Sequence, residues 1–231
     1  MEKNSNVKKK PKKHGLFYNF HYDLVKVTAG LPTILLLRPK KYYPDGKKPL
    51  AKGGVLISGN HASFLDPVYV HTAFVKRRLH FLATKDLYRT KFMAWFFNAM
   101  HCIMVDKENF SVSSFHDVTE RLKDGHAVVI FPEGQLNHDG ANSVLAFKSG
   151  AVFMAYKSGA PILPMYIAPR KKWYSRLEIV YGDPIDVRAE VGAIPSMQEF
   201  DRLSEKLHEK ELELREYYKS IHNKNKGENQ V

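Results

Sequence analysis

The chain has 231 residues and a formal net charge of +12 at pH 7, and 44% of its residues are hydrophobic. These values exclude a fibrous or wholly disordered chain and predict one domain with a full hydrophobic core. A single cysteine excludes an internal disulfide framework and favours a reducing cytoplasm, while the positive charge favours a membrane, a nucleic acid or a small anionic substrate as partner.

Residues 1–15 are predicted to be a disordered basic arm, because the first thirteen residues carry six lysines and one acid. The arm is either a solvated tail or an element attracted to anionic lipid. We expect no nucleic-acid partner, since no nucleic-acid-binding motif follows the arm.

Residues 16–50 combine an apolar, aromatic-rich segment, which ends before Arg38, with a turn near Pro44. The segment either lies in a membrane interface or packs as a helix on the protein's own core. It is shorter than the roughly 18 uninterrupted apolar residues of a transmembrane helix, and no secretory signal is visible. We therefore expect a peripheral or monotopic protein at the cytoplasmic face of a membrane, without a transmembrane helix.

Residues 51–222 are predicted to form the main domain, and residues 223–231 a flexible tail. Apolar runs predict strands at 54–58, 79–84, 101–105, 127–131, 161–167 and 177–181. Helices are predicted near 67–76, 88–99, 111–124, 145–158 and 197–221. Near-continuous apolar strands between helices indicate an α/β fold, in which helices cover both faces of one sheet.

His61 and Asp66 follow the first predicted strand, with four residues between them. Residues five positions apart lie about 140° apart on a helix, so the pair can meet only if His61 sits in the loop before the helix. Asp66 before Pro67 is also a good helix start, with the aspartate as N-cap. The pair therefore indicates either a helix cap beside a structural histidine, or a general base that a carboxylate orients. The two roles of Asp66 are compatible.

Glu133 follows the predicted strand at 127–131 on a constrained turn. Pro132 lacks a backbone donor, and Gly134 permits a positive φ. Glu133 either braces this loop through backbone amides or a lysine, or it hydrogen-bonds to a polyol substrate. Functional groups of open α/β sheets gather where strands end. Three clusters lie at such ends and predict one shared site: 60–66, 85–86 with 106–107, and 132–137.

These segments resemble the family of 1-acyl-sn-glycerol-3-phosphate acyltransferases. The family's first motif, Asn-His-x-Ser-x-x-Asp, matches residues 60–66, and its third motif, Phe-Pro-Glu-Gly, matches residues 131–134. Its apolar fourth motif is similar to residues 160–165. Two further stretches of the family are similar to residues 85–87 and 147–150. The motifs follow the family's order and span about residues 54–185.

Two arginines that the family usually carries are absent. The second motif usually ends in Asp-Arg, where this chain has Asp106 and Lys107, and Thr-Arg-Ser after the third motif is replaced by residues 135–137, Gln-Leu-Asn. A lysine keeps one charge but lacks the bidentate fork that suits phosphate. Any charge on the acceptor phosphate would therefore be met by Lys85, Lys107 and Lys148.

The resemblance implies a layered central mixed sheet flanked by helices, of the glycerolphosphate acyltransferase type, with an N-terminal interfacial helical segment. It implies an O-acyltransferase that moves an acyl chain from acyl-CoA or acyl-carrier protein to a lysophospholipid hydroxyl, first of all 1-acyl-sn-glycerol 3-phosphate. No metal or cofactor is implied beyond the acyl thioester co-substrate. The expected partners are both substrates, an anionic membrane surface and, for a protein-bound donor, acyl-carrier protein.

The resemblance also assigns roles to individual residues. His61 would be the general base and Asp66 its orienting carboxylate. The residues implied in substrate binding are Glu133, Gly134, Gln135, Lys85, Lys107 and Lys148, and the supporting residues are Asn60, Ser63 and Pro132. Three alternatives stay open: a different lysolipid acceptor, a non-catalytic basic protein of the membrane surface, and a hydrolase with Ser63 as nucleophile.

Overall fold

The structure is a computed structural model. It describes residues 16–46, 52–106, 111–134, 137, 149–170, 172, 174–192 and 194–227. The basic arm lies outside the described residues, as do three of the predicted substrate-binding residues: Lys107, Gln135 and Lys148.

The described strands form one seven-stranded sheet. They are β1 Lys40–Tyr42, β2 Val55–Gly59, β3 Leu79–Thr84, β4 Ile103–Val105, β5 Ala127–Ile130, β6 Ile162–Ile167 and β7 Glu178–Tyr181. Their order across the sheet is β1-β7-β6-β2-β5-β3-β4, and only the β6–β7 pair is antiparallel. The predicted mixed α/β sheet is confirmed, and β1 is a short edge strand that the apolar pattern did not predict.

Helices connect the strands and cover the sheet. They are α1 Leu16–Val25, α2 Leu31–Leu37, α3 Asp66–Ala73, α4 Lys91–Ala99, α5 Val112–Lys123, α6 Gly150–Ser158, α7 Val187–Glu190 and α8 Met197–Gly227. A π-helical turn at Lys26–Gly30 joins α1 to α2, and a 3₁₀ turn at Lys85–Tyr88 follows β3.

The sheet is buried on both faces, which explains its near-continuous apolar strands. On one face, Val55 and Ile57 of β2 pack with Val70 of α3. On the other face, Leu56 packs in a second cluster with residues of α5, α6 and α8, such as Leu122. The alternation along β2 therefore directs successive side chains into two separate cores.

The N-terminal helices pack on the domain with one face and leave an apolar face exposed. Tyr22 is fully buried, and its hydroxyl accepts a hydrogen bond from the Leu79 backbone N–H at 2.7 Å. Exposed apolar side chains of α1, α2 and α4 are Phe20, Leu24, Leu31, Leu35, Phe92 and Trp95. The segment therefore packs on the protein's own core through residues such as Tyr22, and its position in a membrane interface stays a prediction. Within the described residues, no helix is long and apolar enough to cross a membrane.

Candidate active site

The predicted contact between His61 and Asp66 is present. Asp66 begins α3, and His61 lies in the loop between β2 and α3. The Nδ1 atom of His61 lies 3.0 Å from Oδ2 of Asp66. The Asp66 side chain is 3% exposed and that of His61 is 20% exposed. The imidazole is therefore accessible at the carboxyl end of the sheet, while its carboxylate partner is buried.

Asp66 also organises the loop that carries His61. Its Oδ2 accepts the backbone N–H groups of Ala62 and Ser63, each at 2.7 Å. The Ser63 hydroxyl accepts the Leu65 N–H at 3.2 Å. Since the N-cap position belongs to Leu65, the expectation that Asp66 itself is the N-cap is wrong. Its carboxylate instead reaches backwards to two backbone amides of the loop before the helix.

Asn60 attaches the start of the loop to the neighbouring strand. Its side-chain Nδ2 donates to the carbonyl oxygen of Ile167 at 3.1 Å, and its Oδ1 accepts the Ile167 N–H at 2.7 Å. The amide thus pairs with the last residue of β6 as a backbone residue of β2 would. Asn60 is 1% exposed, so this pair holds the loop from inside the protein and fits the supporting role predicted for Asn60.

The segment around Glu133 holds the backbone of His61 on both sides. The Oε1 atom of Glu133 accepts the His61 N–H at 3.2 Å, and the Asn137 N–H donates to the His61 carbonyl oxygen at 2.8 Å. The ring of Phe131 stacks on the imidazole, with ring centroids 4.2 Å apart. Sequence reasoning placed residues 132–137 at the shared site and Phe131 in the third motif, but it did not predict these two contacts, because neither follows from local spacing.

Glu133 itself is 5% exposed, so the geometry favours the bracing interpretation over direct contact with a polyol. Gly134 has a φ of 69° and donates its N–H to the carbonyl oxygen of Phe131 at 3.0 Å. This is the tight turn that the glycine predicted, because a side chain rarely adopts this φ. Pro132 is buried within the same turn.

Lys85 lies apart from the His61 loop. It follows β3, and its Nζ lies 2.6 Å from Oδ2 of Asp106, which follows β4. The hydrogen bond to Asp106 raises the pKa of the Lys85 ammonium. In the sheet order, β5 separates β3 from β2, so the two clusters share one edge but lie on different strands. The structure thus brings together Asn60, His61, Ser63, Asp66, Pro132, Glu133 and Gly134.

The geometry of the loop permits proton transfer at His61. A neutral imidazole that donates its Nδ1–H to Asp66 presents Nε2 as a proton acceptor. Once Nε2 is protonated, the carboxylate stabilises the imidazolium. Within the described residues, no group of three histidine, cysteine, aspartate or glutamate side chains is arranged to hold a metal ion. The role of each site residue stays a prediction.

Comparisons with known proteins identify the family of this chain. The model of a family described as Acyltransferase matches residues 40–168, which include His61, Asp66 and Glu133. The 1-acyl-sn-glycerol-3-phosphate acyltransferase of Bacillus subtilis is 28% identical over 202 residues, which cover 85% of this chain and 96% of that protein. The protein of the same name from Streptococcus pneumoniae is 26% identical over 152 residues, which cover 63% of this chain and 55% of that protein.

A solved structure shares the fold. The crystal structure of the 1-acyl-sn-glycerophosphate (LPA) acyltransferase PlsC from Thermotoga maritima has a TM-score of 0.59 to this chain, at 19% sequence identity. The match covers 86% of this chain and 81% of that one. At this identity the likeness concerns the fold.

Proposed function

The chain belongs to the acyltransferase family, and from that premise we propose that it acylates the free hydroxyl of 1-acyl-sn-glycerol 3-phosphate to give phosphatidate. The observation that carries the proposal is the contact of His61 with Asp66 at 3.0 Å, in a loop whose backbone the Phe131–Gly134 turn holds. The acceptor is proposed because relatives such as the Bacillus subtilis protein are named for it.

The proposed reaction is a direct transfer between the two substrates. The Nε2 atom of His61 takes the proton of the acceptor hydroxyl while that oxygen attacks the thioester carbonyl carbon. A C–O bond forms, the C–S bond breaks, and the imidazolium returns the proton to the departing thiolate. Asp66 keeps Nδ1 protonated and stabilises the imidazolium between the two proton transfers.

The surroundings of the other candidate nucleophiles support a route without an acyl-enzyme. Burial raises the pKa of the Cys102 thiol to about 12, so a reactive thiolate is disfavoured at neutral pH. The Ser63 hydroxyl accepts a backbone N–H of its own loop. A histidine two residues before the serine also differs from a nucleophile elbow. His61 therefore acts on the substrate hydroxyl in this proposal.

Lysines supply the charge for anionic substrate groups in this proposal. Lys85 shares its charge with Asp106, and Lys107 and Lys148 complete the set predicted from the sequence. The donor is acyl-CoA or acyl-carrier protein, both of which present a thioester and a phosphate-bearing arm. The family's two arginines are replaced here by Lys107 and by the leucine of residues 135–137, so the test below includes lysolipids other than lysophosphatidate.

We also propose that the protein works on the surface of a membrane. The exposed apolar side chains of α1, α2 and α4 support this, since Phe20, Leu35 and Phe92 are 56%, 77% and 67% exposed. Such a surface binds the interface of a bilayer, and the lysine-rich arm adds attraction to anionic lipid. The cytoplasmic face is proposed because the single cysteine suits a reducing compartment.

A product analysis tests the proposal. The purified full chain is incubated with vesicles that contain lysophosphatidate and other lysolipids, with acyl-CoA or acyl-carrier protein in separate reactions, and the lipids are identified by mass spectrometry. We expect phosphatidate as the main product and release of one thiol per transfer. A reaction without acceptor measures thioester hydrolysis. If only another lysolipid is acylated, the proposed acceptor is wrong. If no lysolipid is acylated, the proposed acyl transfer is wrong.

A further inference from the structure

Glu211 of α8 is a buried acid behind the strand that leads to His61. It is 0% exposed. The Ser58 hydroxyl donates to its Oε1 at 2.8 Å. Ser58 lies on β2, three residues before His61. Within the described part of the chain, Oε2 of Glu211 has no hydrogen-bond partner.

The position of Glu211 is one that a leucine would normally occupy. The buried stripe of α8 runs through Phe200, Leu203, Leu207 and Leu214, and residue 211 continues it at helical spacing. A carboxyl group in such a place costs free energy unless it is fully paired, so a purely structural helix gains nothing from it. An acid at a core position therefore points to a role outside packing.

Burial also governs the protonation of this acid. It raises the pKa of the Glu211 carboxyl well above its usual range, and the charge of Glu133 acts in the same direction, against the lowering effect of the Ser58 hydrogen bond. Removal of a carboxylate from water disfavours its charged form. Glu211 therefore holds Ser58 as an uncharged acid.

One contact leads from α8 to the strand that carries the candidate general base. Glu211 holds Ser58 near the end of β2. Glu133 separately holds the backbone of His61, two residues after Gly59. In the described part of the chain, His208 and Arg215 of the same helix do not donate to Oε2 of Glu211. The carboxyl group thus acts on the loop through Ser58.

We propose that Glu211 is a positioning residue of the acyl-transfer site, which anchors Ser58 of β2 and, through that strand, the start of the His61 loop. The inference rests on the proposed function, because positioning is meaningful only if His61 is the base. It adds to that function a residue from a distant helix. Glu211 contacts neither substrate in this proposal and acts through the loop.

Three variants separate positioning from packing. Glu211→Gln keeps an uncharged acceptor for Ser58, whereas Glu211→Met fills the same volume without one. Ser58→Ala removes the donor and leaves the helix unchanged. We measure kcat and KM for acyl transfer, thermal unfolding, and hydrogen exchange of the His61 amide by mass spectrometry.

We expect Glu211→Gln to keep kcat within about twofold of wild type. Glu211→Met and Ser58→Ala should each lower kcat about 10- to 100-fold with little change in KM, because a small displacement of a base is enough for such a loss. Exchange of the His61 amide should accelerate in both. If Glu211→Met does not fold, Ser58→Ala and Glu211→Gln decide the question.

Two results would overturn the inference. One is wild-type kcat and exchange in Glu211→Met or in Ser58→Ala. The other is a loss of kcat in Glu211→Gln as large as in Glu211→Met, which would mean that the charge itself is needed. The outcome is distinguishable from failure of the proposed function. A wild-type protein that acylates no lysolipid refutes that function, while exchange at His61 still reports whether Glu211 holds the loop.

Discussion

The histidine of the β2–α3 loop and the histidines of the core differ in the groups that surround their imidazole rings. His61 lies beside the Asp66 carboxylate at the carboxyl end of the sheet. His71 of α3 is partly buried beside Tyr22 of α1, and His80 of β3 is buried with its Nδ1 3.0 Å from the carbonyl oxygen of His101. Burial, and then the charge of Lys26, lowers the pKa of His71 to about 4.

His80 has an even less favourable place for a charge. Burial lowers its pKa to about 2, and the positive charge of Arg121 acts in the same direction. A protonated imidazole would thus face a carboxylate at His61, whereas at His80 it would face the carbonyl oxygen of His101 and the positive charge of Arg121. A histidine can act as a base where a carboxylate stabilises the imidazolium. It stays neutral and packs in the core where burial excludes the charge.

Removal of the loop histidine is the strongest test of this difference. His61→Ala should lower kcat about 10³- to 10⁴-fold, because the general base is lost, while the thermal unfolding midpoint stays near that of wild type. Steady-state assays and calorimetry measure both. His116→Ala, an exposed substitution on α5, is the matched control and should leave both unchanged. More than a tenth of wild-type kcat in His61→Ala would contradict the assignment.

The carboxylate partner should have the next largest effect. Asp66→Asn keeps an oxygen for the N–H groups of Ala62 and Ser63 but cannot stabilise the imidazolium by charge. We expect kcat to fall about 10²- to 10³-fold at nearly unchanged stability. Asp66→Ala should lose activity too and also lower the free energy of unfolding by about 1–3 kcal/mol, since buried donors lose their acceptor. If the two variants unfold with equal free energy, the Asp66 oxygen does not hold the Ala62 and Ser63 amides of the loop.

The contact of His61 with Asp66 could be predicted because it is local. The strand, loop and helix start leave one geometry in which the two side chains can meet. The apolar runs of six strands are also long enough to predict from the sequence. β1 was missed because Lys40 and Lys41 carry no apolar pattern, and its partner β7 is distant in sequence. An edge strand needs only one buried face, so its signal in the sequence is weak.

The contacts between distant segments could not be predicted in the same way. Glu211 looks like one of many acids on a charged helix, and only the register of α8 against β2 brings it to Ser58. The core histidines behave alike. His80 lies in an apolar strand run, but its burial beside Arg121 depends on how α5 packs on the sheet. Local patterns specify the helices and strands, whereas contacts between distant segments depend on the assembled fold.

The anchor between α1 and the core should affect stability alone. Tyr22→Phe removes the acceptor of the Leu79 N–H and the hydroxyl beside His71. A buried donor without a partner lowers the free energy of unfolding by about 1–3 kcal/mol, measured by urea unfolding. Asp23→Asn breaks the neighbouring exposed ion pair with Arg78 and should lower it by less than about 1 kcal/mol. An equal effect of the two variants would show that the hydroxyl does not anchor the helix.

The smallest expected effect is a pH dependence of stability from the core histidines. The pKa of His71 and of His80 is lower in the folded protein than the usual 6.5, so the unfolded chain binds more protons below that pH. Their contribution is complete above pH 6.5 and is lost as the pH falls towards the folded values. His80→Asn should remove up to about 1.4 kcal/mol per pH unit from the slope of the unfolding free energy between pH 6 and 5.

Glu211 supplies the control of opposite sign for that slope. Its pKa is raised in the folded protein, so its contribution is present below the usual carboxyl pKa and is lost as the pH rises. The unfolding free energy of Glu211→Gln should therefore rise relative to that of wild type as the pH increases from 5 to 8. That of His80→Asn should rise relative to wild type as the pH decreases. Urea unfolding at pH 5, 6, 7 and 8 measures both differences. If the stability difference from wild type changes with pH in the same direction for both variants, burial does not exclude the charge of one of these two groups. The contrast would then fail between a loop histidine beside a carboxylate and core groups that burial keeps uncharged.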